Sequence, residues 1–167
     1  MNEEIAQLSR ALGEHLASKG WMFSCAESCT GGLLAAAMTD IPGSSQWFDR
    51  GIVSYSNAAK EDLLDVHADT LERFGAVSEE TAMEMAAGVL ANAPLSHMAI
   101  STTGIAGPDG ATPGKPVGMV CFGFATRAGQ GVVTRAETRV FQGDRQAVRT
   151  AAVKFALSTA LGFTPSS

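Results

Sequence analysis

The chain has 167 residues and a formal net charge of −5, and its 12 lysines and arginines are spread along the sequence. Its length suits one domain, and 46% hydrophobic residues are more than a disordered segment carries. The scattered basic residues argue against duplex nucleic acid as a partner, and no apolar stretch approaches the roughly 20 residues of a membrane span.

Cysteine and histidine usage favours a reduced setting without a metal. The three cysteines, Cys25, Cys29 and Cys121, are odd in number and lack paired spacing, and the histidines stand apart from one another. The N-terminus begins with acidic residues and does not resemble an export signal. We therefore expect a cytoplasmic protein with no metal and no cofactor.

Helical and extended patterns alternate along the first part of the chain. Apolar residues at helical spacing predict an amphipathic helix over about 3–19, which Gly20 ends. The apolar run 21–26 predicts a buried strand, and the glycine-bearing segment 27–32 then leads into a second helix.

A second strand is predicted over 51–56, followed by a helix that contains Lys60 and is capped by Ser56 or Asn57. Ser78 caps a further helix to about residue 92.

The remaining segments complete a sheet. A third strand at 98–104 runs into a loop dense in glycine and proline. Strands at 117–126 and 132–141 flank a five-residue connection, 127–131, suited to a hairpin. A last helix begins after Asp144 and ends at Gly162.

These patterns predict an α/β fold, a three-layer α/β/α sandwich whose mixed, mostly parallel sheet is closed by an antiparallel hairpin. We assign residues 1–163 to a single domain and 164–167 to a short tail. Apolar helix faces in a chain of this size favour a homo-oligomer.

Three segments place chemistry-bearing residues at strand ends, where open α/β sheets bind ligands. In the first, AESCTGG at 26–32, main-chain N–H groups can bind an anion, although a plain tight turn has the same pattern. The second, YSNAAK at 55–60, puts a lysine near a helix N-terminus, where the macrodipole lowers its pKa, although a surface lysine beside a half-buried tyrosine has the same pattern. In the third, TTGIAGP at 102–108, backbone donors can approach a phosphate, or the loop is only a rigid connection.

Together with GSSQWFDRGIVSYSNAAK and STTGIAGPDGATPGKPVGMV, these segments resemble the CinA C-terminal-domain family over nearly the whole chain. The stand-alone members of that family are nicotinamide-nucleotide amidases. The resemblance implies a hydrolase of pyridine nucleotide salvage that converts nicotinamide mononucleotide to nicotinate mononucleotide and ammonia. It implies Ser28 as the nucleophile, with Lys60 and Tyr55 as its catalytic partners.

On this interpretation Lys60 is the general base, and Tyr55 relays a proton or holds the lysine. Arg145 is expected to grip the phosphate, with Arg149 as a weaker candidate. The substrate-binding set that we predict comprises Glu27, Thr30, Gly31, Gly32, Thr103, Gly104, Gly107 and Arg145.

Two alternatives stay open at the level of sequence. Cys29, beside Ser28, is intrinsically the better nucleophile, which makes a cysteine amidase the competing mechanism. A non-catalytic nucleotide-binding module is the competing function. Phosphoryl transfer is disfavoured, because the chain lacks the GxxxxGK[ST] motif.

Overall fold

The computed structural model describes residues 2–163, so the predicted tail at 164–167 lies outside the described residues. Helices and strands alternate as far as Leu64 and then follow one another in groups. The six helices are α1 (Glu3–Lys19), α2 (Leu33–Thr39), α3 (Asn57–Leu64), α4 (Ala68–Phe74), α5 (Glu79–Ala91) and α6 (Arg145–Phe163). The five strands are β1 (Phe23–Glu27), β2 (Phe48–Val53), β3 (Met98–Gly104), β4 (Met119–Ala128) and β5 (Gly131–Val140).

The strands form one sheet in the order β2-β1-β3-β4-β5. β1 pairs in parallel with both β2 and β3, whereas β4 and β5 run antiparallel to their neighbours. The predicted mixed α/β fold is therefore confirmed. The hairpin, however, extends one edge of the sheet, which stays open where the prediction had it closed.

Alternating side chains of the strands supply two hydrophobic cores, one on each face of the sheet. Cys25 and Ile100 point into the core formed with α1, α2 and α6. Ala26 and Ala99, their neighbours in sequence, point into the core formed with α3, α4 and α5. Because side chains alternate along a strand, helices cover both faces, which gives the predicted three layers.

Some predicted boundaries were wrong. β2 ends at Val53: the Ser54 N–H makes the last hydrogen bond to β1, on the Glu27 carbonyl, and Ser56 is already the N-cap of α3. The β4–β5 connection is tighter than expected, since Ala128 still pairs with Gly131 across the turn. Helix α6 continues one residue past Gly162.

The short helix α4 was not predicted. His67 occupies its N-cap position without a side-chain cap bond. The carboxylate of Glu84, on α5, instead accepts hydrogen bonds from the His67 N–H and the Thr70 hydroxyl. A cap from a distant residue leaves no local sequence signal.

Candidate active site

The turn between β1 and α2 brings Ser28 to the carboxyl end of the central strands. Ser28 follows β1 directly, is 7% exposed, and donates its N–H to the Thr102 carbonyl of β3 at 2.9 Å. Gly31 and Gly32 follow with φ of 58° and 106°, values that side-chain-bearing residues rarely adopt. The predicted strand, glycine turn and helix are thus all present, and they fix Ser28 between β2 and β3.

Lys60 meets Ser28 from the neighbouring helix. The Ser56 hydroxyl accepts the N–H of Ala59 and starts α3, which places Lys60 on its first turns. The Lys60 Nζ lies 2.9 Å from the Ser28 Oγ, 2.9 Å from the Ser54 carbonyl and 3.1 Å from the Tyr55 carbonyl. The lysine is only 1% exposed, so this contact takes place away from bulk water.

Burial lowers the pKa of Lys60 from 10.5 to about 8, because the charged ammonium loses its hydration. The nearby Cys29 opposes this shift weakly. The oxygens around Nζ belong to two carbonyls and a hydroxyl, which carry no net charge to hold the proton. A lowered pKa was expected from the helix dipole, whereas desolvation is its main cause.

The cage of oxygens also sets the direction of the lysine lone pair. A neutral amine has two N–H bonds, and the carbonyls of Ser54 and Tyr55 can accept both. The remaining lone pair then faces the Ser28 hydroxyl, 2.9 Å away. Such a pair has the geometry in which a serine gives its proton to a base.

Tyr55 contributes its main chain to this cage, and its side chain lies elsewhere. Its carbonyl accepts from Lys60 and, at 3.3 Å, from the Ser28 hydroxyl. Tyr55 is 60% exposed, and its phenol oxygen accepts a hydrogen bond from Arg145 at 3.0 Å. The predicted contact between the phenol and the lysine is replaced by a contact with Arg145.

Arg145, at the start of α6, bridges Tyr55 and the loop that contains Gly107. One guanidinium nitrogen donates to the Tyr55 hydroxyl and the other donates to the Gly107 carbonyl at 2.8 Å. The residue is exposed, so its remaining N–H groups are free to meet a ligand. Arg145 also lines a cleft of about 500 Å³ with Ala106 and Pro108. The structure thus brings the predicted residues Gly107 and Arg145 together beside Tyr55.

Glu27, which the sequence predicted to bind substrate, has its carboxylate engaged by the protein itself. Its side chain is completely buried, and its carboxylate accepts the N–H groups of Leu34 and Ala35 at 2.9 and 3.0 Å. It also accepts the Thr30 hydroxyl. The carboxylate therefore caps the first turn of α2, where free N–H groups and the helix dipole favour an anion.

Thr30, Thr103 and Gly104 likewise make their contacts within the protein. The Thr30 and Thr102 hydroxyls lie 2.7 Å apart, and the Thr103 hydroxyl donates to the Ala76 carbonyl at 2.8 Å. Thr30 and Thr103 are no more than 1% exposed. A Cβ on Gly104 would lie 2.8 Å from the Met119 carbonyl oxygen, so close strand packing accounts for this glycine.

Replacing Glu27 with glutamine is expected to destabilise the fold. The amide nitrogen cannot accept a hydrogen bond, so at least one buried donor of Thr30, Leu34 or Ala35 loses its partner. Such a loss costs about 1–3 kcal/mol. Urea unfolding of Glu27→Gln measures it, with Glu72→Gln on the exposed side of α4 as the control. Equal midpoints for the two variants would contradict the capping role.

Cys29, the competing nucleophile, points into the core. It is 4% exposed and belongs to the apolar core shared by α1, α2 and α6. Burial raises the pKa of its thiol to about 12, so the reactive thiolate is not formed at neutral pH. Cys25 and Cys121 are buried as well, and burial raises both of their thiol pKa values. These surroundings favour Ser28 over Cys29.

The sequence missed one group of the site and suggested a different contact for another, Arg149. The Ser54 carbonyl holds Lys60, but a main-chain oxygen has no residue-type signal. Arg149 donates to the carbonyls of Cys29 and Thr30 at 3.1 and 3.4 Å, so it binds the main chain of the turn that follows Ser28. Its spacing from Arg145 indicated two cations on neighbouring turns of α6 but not their different targets.

Within residues 2–163, no helix is long and apolar enough to cross a membrane. The same part of the chain contains no group of three or more histidine, cysteine, aspartate or glutamate side chains placed to hold a metal ion.

Comparison with known proteins places this arrangement in a family. The model of the CinA C-terminal domain matches residues 5–163. A nicotinamide-nucleotide amidohydrolase PncC from Enterobacter agglomerans is 54% identical over 159 residues, which are 95% of this chain and 94% of that protein. The protein of the same name from Escherichia coli (strain K12) is 49% identical over 158 residues, 95% of this chain and 93% of that one.

Solved structures agree with the sequence comparison. The crystal structure of a competence or damage-inducible protein from Enterobacter asburiae superposes with a TM-score of 0.90 at 38% identity. The match covers 96% of this chain and 98% of that one. The chain therefore belongs to the CinA C-terminal domain family.

Proposed function

We propose that this chain is an amidohydrolase that converts nicotinamide mononucleotide to nicotinate mononucleotide and ammonia, with Ser28 as nucleophile and Lys60 as base. The observation that carries the chemistry is the buried contact of 2.9 Å between the Lys60 Nζ and the Ser28 Oγ. The substrate is supported by two relatives named nicotinamide-nucleotide amidohydrolase, which are 54% and 49% identical to this chain over 95% of its length. With that substrate, the enzyme acts in pyridine nucleotide salvage.

In the first step Lys60 takes the hydroxyl proton as the Ser28 oxygen attacks the carboxamide carbon. The carbonyl oxygen becomes an oxyanion, which main-chain N–H groups of the turn between Ser28 and α2 stabilise. The C–N bond then breaks, and the Lys60 ammonium returns its proton to the departing nitrogen. This leaves ammonia and an acyl-enzyme on Ser28.

In the second step a water molecule attacks the acyl carbon, and Lys60 takes a proton from the water. The bond to the Ser28 oxygen breaks, the serine regains a proton from Lys60, and nicotinate mononucleotide leaves. Tyr55 holds Lys60 in both steps through its carbonyl. Its phenol and Arg145 lie on the exposed side of the site, where they contact the nucleotide.

The proposed function is tested by measuring ammonia release from nicotinamide mononucleotide by the purified chain, with and without EDTA. We expect turnover in both conditions. Nicotinamide riboside, which lacks the phosphate, is the matched control and should be hydrolysed much more slowly. Tight binding of the mononucleotide without ammonia release would instead favour the non-catalytic binding module.

Replacing Arg145 with glutamine is expected to raise KM for nicotinamide mononucleotide by roughly 10- to 100-fold, because a charge-assisted contact to phosphate contributes about 1.5–3 kcal/mol. The value of kcat should change little, since Arg145 contacts the Tyr55 hydroxyl and not the Ser28–Lys60 pair. Steady-state kinetics measure both values, with Arg10→Gln on the exposed side of α1 as control. An unchanged KM would remove Arg145 from the phosphate site.

The predicted homo-oligomer, the cytoplasmic location and the assignment of 1–163 to one domain stay predictions. Light scattering of the purified chain checks the oligomeric state directly.

A further inference from the structure

The geometry points to Arg149 as a positioning residue that aims a main-chain N–H of the nucleophile turn at the reacting carbonyl oxygen. This inference rests on the proposed hydrolysis and deepens it. Arg149 lies on α6, is half-buried, and donates through its Nε to the Cys29 carbonyl and through one Nη to the Thr30 carbonyl. Both acceptors belong to the turn that follows Ser28.

These contacts fix the orientation of two peptide groups. In a trans peptide, the carbonyl of one residue and the N–H of the next point in opposite directions. With the Cys29 carbonyl held by Arg149, the Thr30 N–H points away from the guanidinium. The Thr30 carbonyl does the same for the Gly31 N–H, which donates back to the Ser28 carbonyl at 3.1 Å.

The direction away from Arg149 leads toward the catalytic pair. Helix α6 belongs to the core on one face of the sheet, whereas α3, which carries Lys60, belongs to the core on the other face. Arg149 and Lys60 therefore approach the Ser28 turn from opposite sides. The Thr30 N–H faces the side on which the Ser28 hydroxyl meets Lys60, where an oxyanion would form.

The shape of the arginine matters as well as its charge. A planar guanidinium donates from two nitrogens at fixed spacing, and a lysine ammonium cannot reproduce this fork. Gly31 leaves room for it, because a Cβ at that position would lie 3.2 Å from the Arg149 Nη. The glycine that the sequence suggested for substrate binding thus allows the guanidinium to approach the turn.

The test compares Arg149→Gln and Arg149→Lys with the wild type and with Lys154→Gln, which removes one positive charge from the same helix. Two readouts are used. The first is kcat and KM for ammonia release from nicotinamide mononucleotide. The second is the rate at which a small alkyl fluorophosphonate modifies Ser28: the serine oxygen bonds to phosphorus, fluoride leaves, and Lys60 takes the hydroxyl proton. The phosphoryl oxygen then occupies the position of the oxyanion.

We expect Arg149→Gln to lower kcat and the modification rate by about tenfold or more, since losing one oxyanion donor costs about 10²–10³ in kcat and a misdirected donor costs less. KM should stay within about twofold, because Arg149 is not placed against the substrate. A lowered kcat with an unchanged KM is expected of a group that acts only in the transition state. Arg149→Lys should recover only part of the loss, and it replaces Arg149→Gln should that variant fail to fold. Lys154→Gln should match the wild type.

Unchanged rates in Arg149→Gln, full recovery in Arg149→Lys, or a raised KM with normal kcat would each overturn the inference, the last by making Arg149 a phosphate ligand. A wild type that is modified at Ser28 yet releases no ammonia would refute the proposed substrate, and the modification rates alone would then decide the role of Arg149. A wild type that is not modified at Ser28 would overturn both.

Discussion

Replacing Ser28 with alanine is expected to lower ammonia release by at least about 10⁴-fold, because removing the nucleophile of a well-studied serine hydrolase costs about 10⁶ in kcat. The matched variant Cys29→Ala should keep activity within about threefold of the wild type. Its thiol has a pKa raised to about 12 and packs in the core, so it supplies no nucleophile. Steady-state assays of the two variants, with thermal unfolding as a check on folding, measure the difference.

The same pair of variants separates the two mechanisms. Activity lost in Cys29→Ala and retained in Ser28→Ala would transfer the nucleophile to the cysteine. Mass spectrometry after treatment with iodoacetamide at pH 8 gives independent evidence. A buried, protonated Cys29 should remain unmodified in the folded protein, whereas a catalytic thiolate would react.

Replacing Lys60 with methionine is expected to lower kcat by about 10³-fold or more while changing the stability of the fold little, because loss of a buried ammonium offsets the loss of the donor to the Ser54 and Tyr55 carbonyls. The variant removes the only side-chain amine or acid that contacts the Ser28 hydroxyl among the described residues. It also removes a buried ammonium whose desolvation disfavours the charged folded state. Kinetics and thermal unfolding together measure the two effects, with Lys154→Met on α6 as control. Equal activity in Lys60→Met and wild type would exclude Lys60 as the base.

The pH dependence follows from the lowered pKa of Lys60. In the proposed mechanism the neutral amine is the base, so kcat/KM of the wild type should rise with pH and level off above a midpoint near 8. Stability should rise in the same direction. A lysine with a pKa of about 8 when folded and 10.5 when unfolded destabilises the fold most below pH 8 and not at all above 10.5. Both dependences should disappear in Lys60→Met, and a wild-type profile that is flat from pH 6 to 9 would contradict them.

The fold was predictable where local patterns carry it. Helix α1 has an apolar face and a closing Gly20, and α5 has a capping Ser78, so both matched their predicted ranges closely. Helix α4 was missed because Glu84, on α5, supplies its cap. The end of β2 was misplaced because the extended pattern continues to Ser56, whereas Ser56 is the N-cap of α3 and the pairing with β1 ends before it. For α4, a contact between distant residues decided the local structure.

The site was predictable in its side-chain identities but not in its main-chain contacts. Ser28 and Lys60 lie in motifs that the family resemblance identified, and the structure brings them together. Tyr55 was also singled out, yet its carbonyl rather than its phenol holds the lysine. From the sequence, the Glu27 carboxylate could accept hydrogen bonds from a carboxamide or ribose, or form an ion pair nearby. Only the packing of α2 shows that this carboxylate faces inward.

The two carbonyls beside Lys60 limit which kind of side chain can serve as a base at this position. A carboxylate there would set its lone pairs against those of Ser54 and Tyr55, and the three groups would repel one another. An imidazole that accepts a proton from Ser28 has a single N–H left, so one carbonyl would lose its partner. A primary amine donates twice and accepts once. In the proposed mechanism, the main chain around Ser28 thus favours an amine for proton transfer where many serine hydrolases use an imidazole.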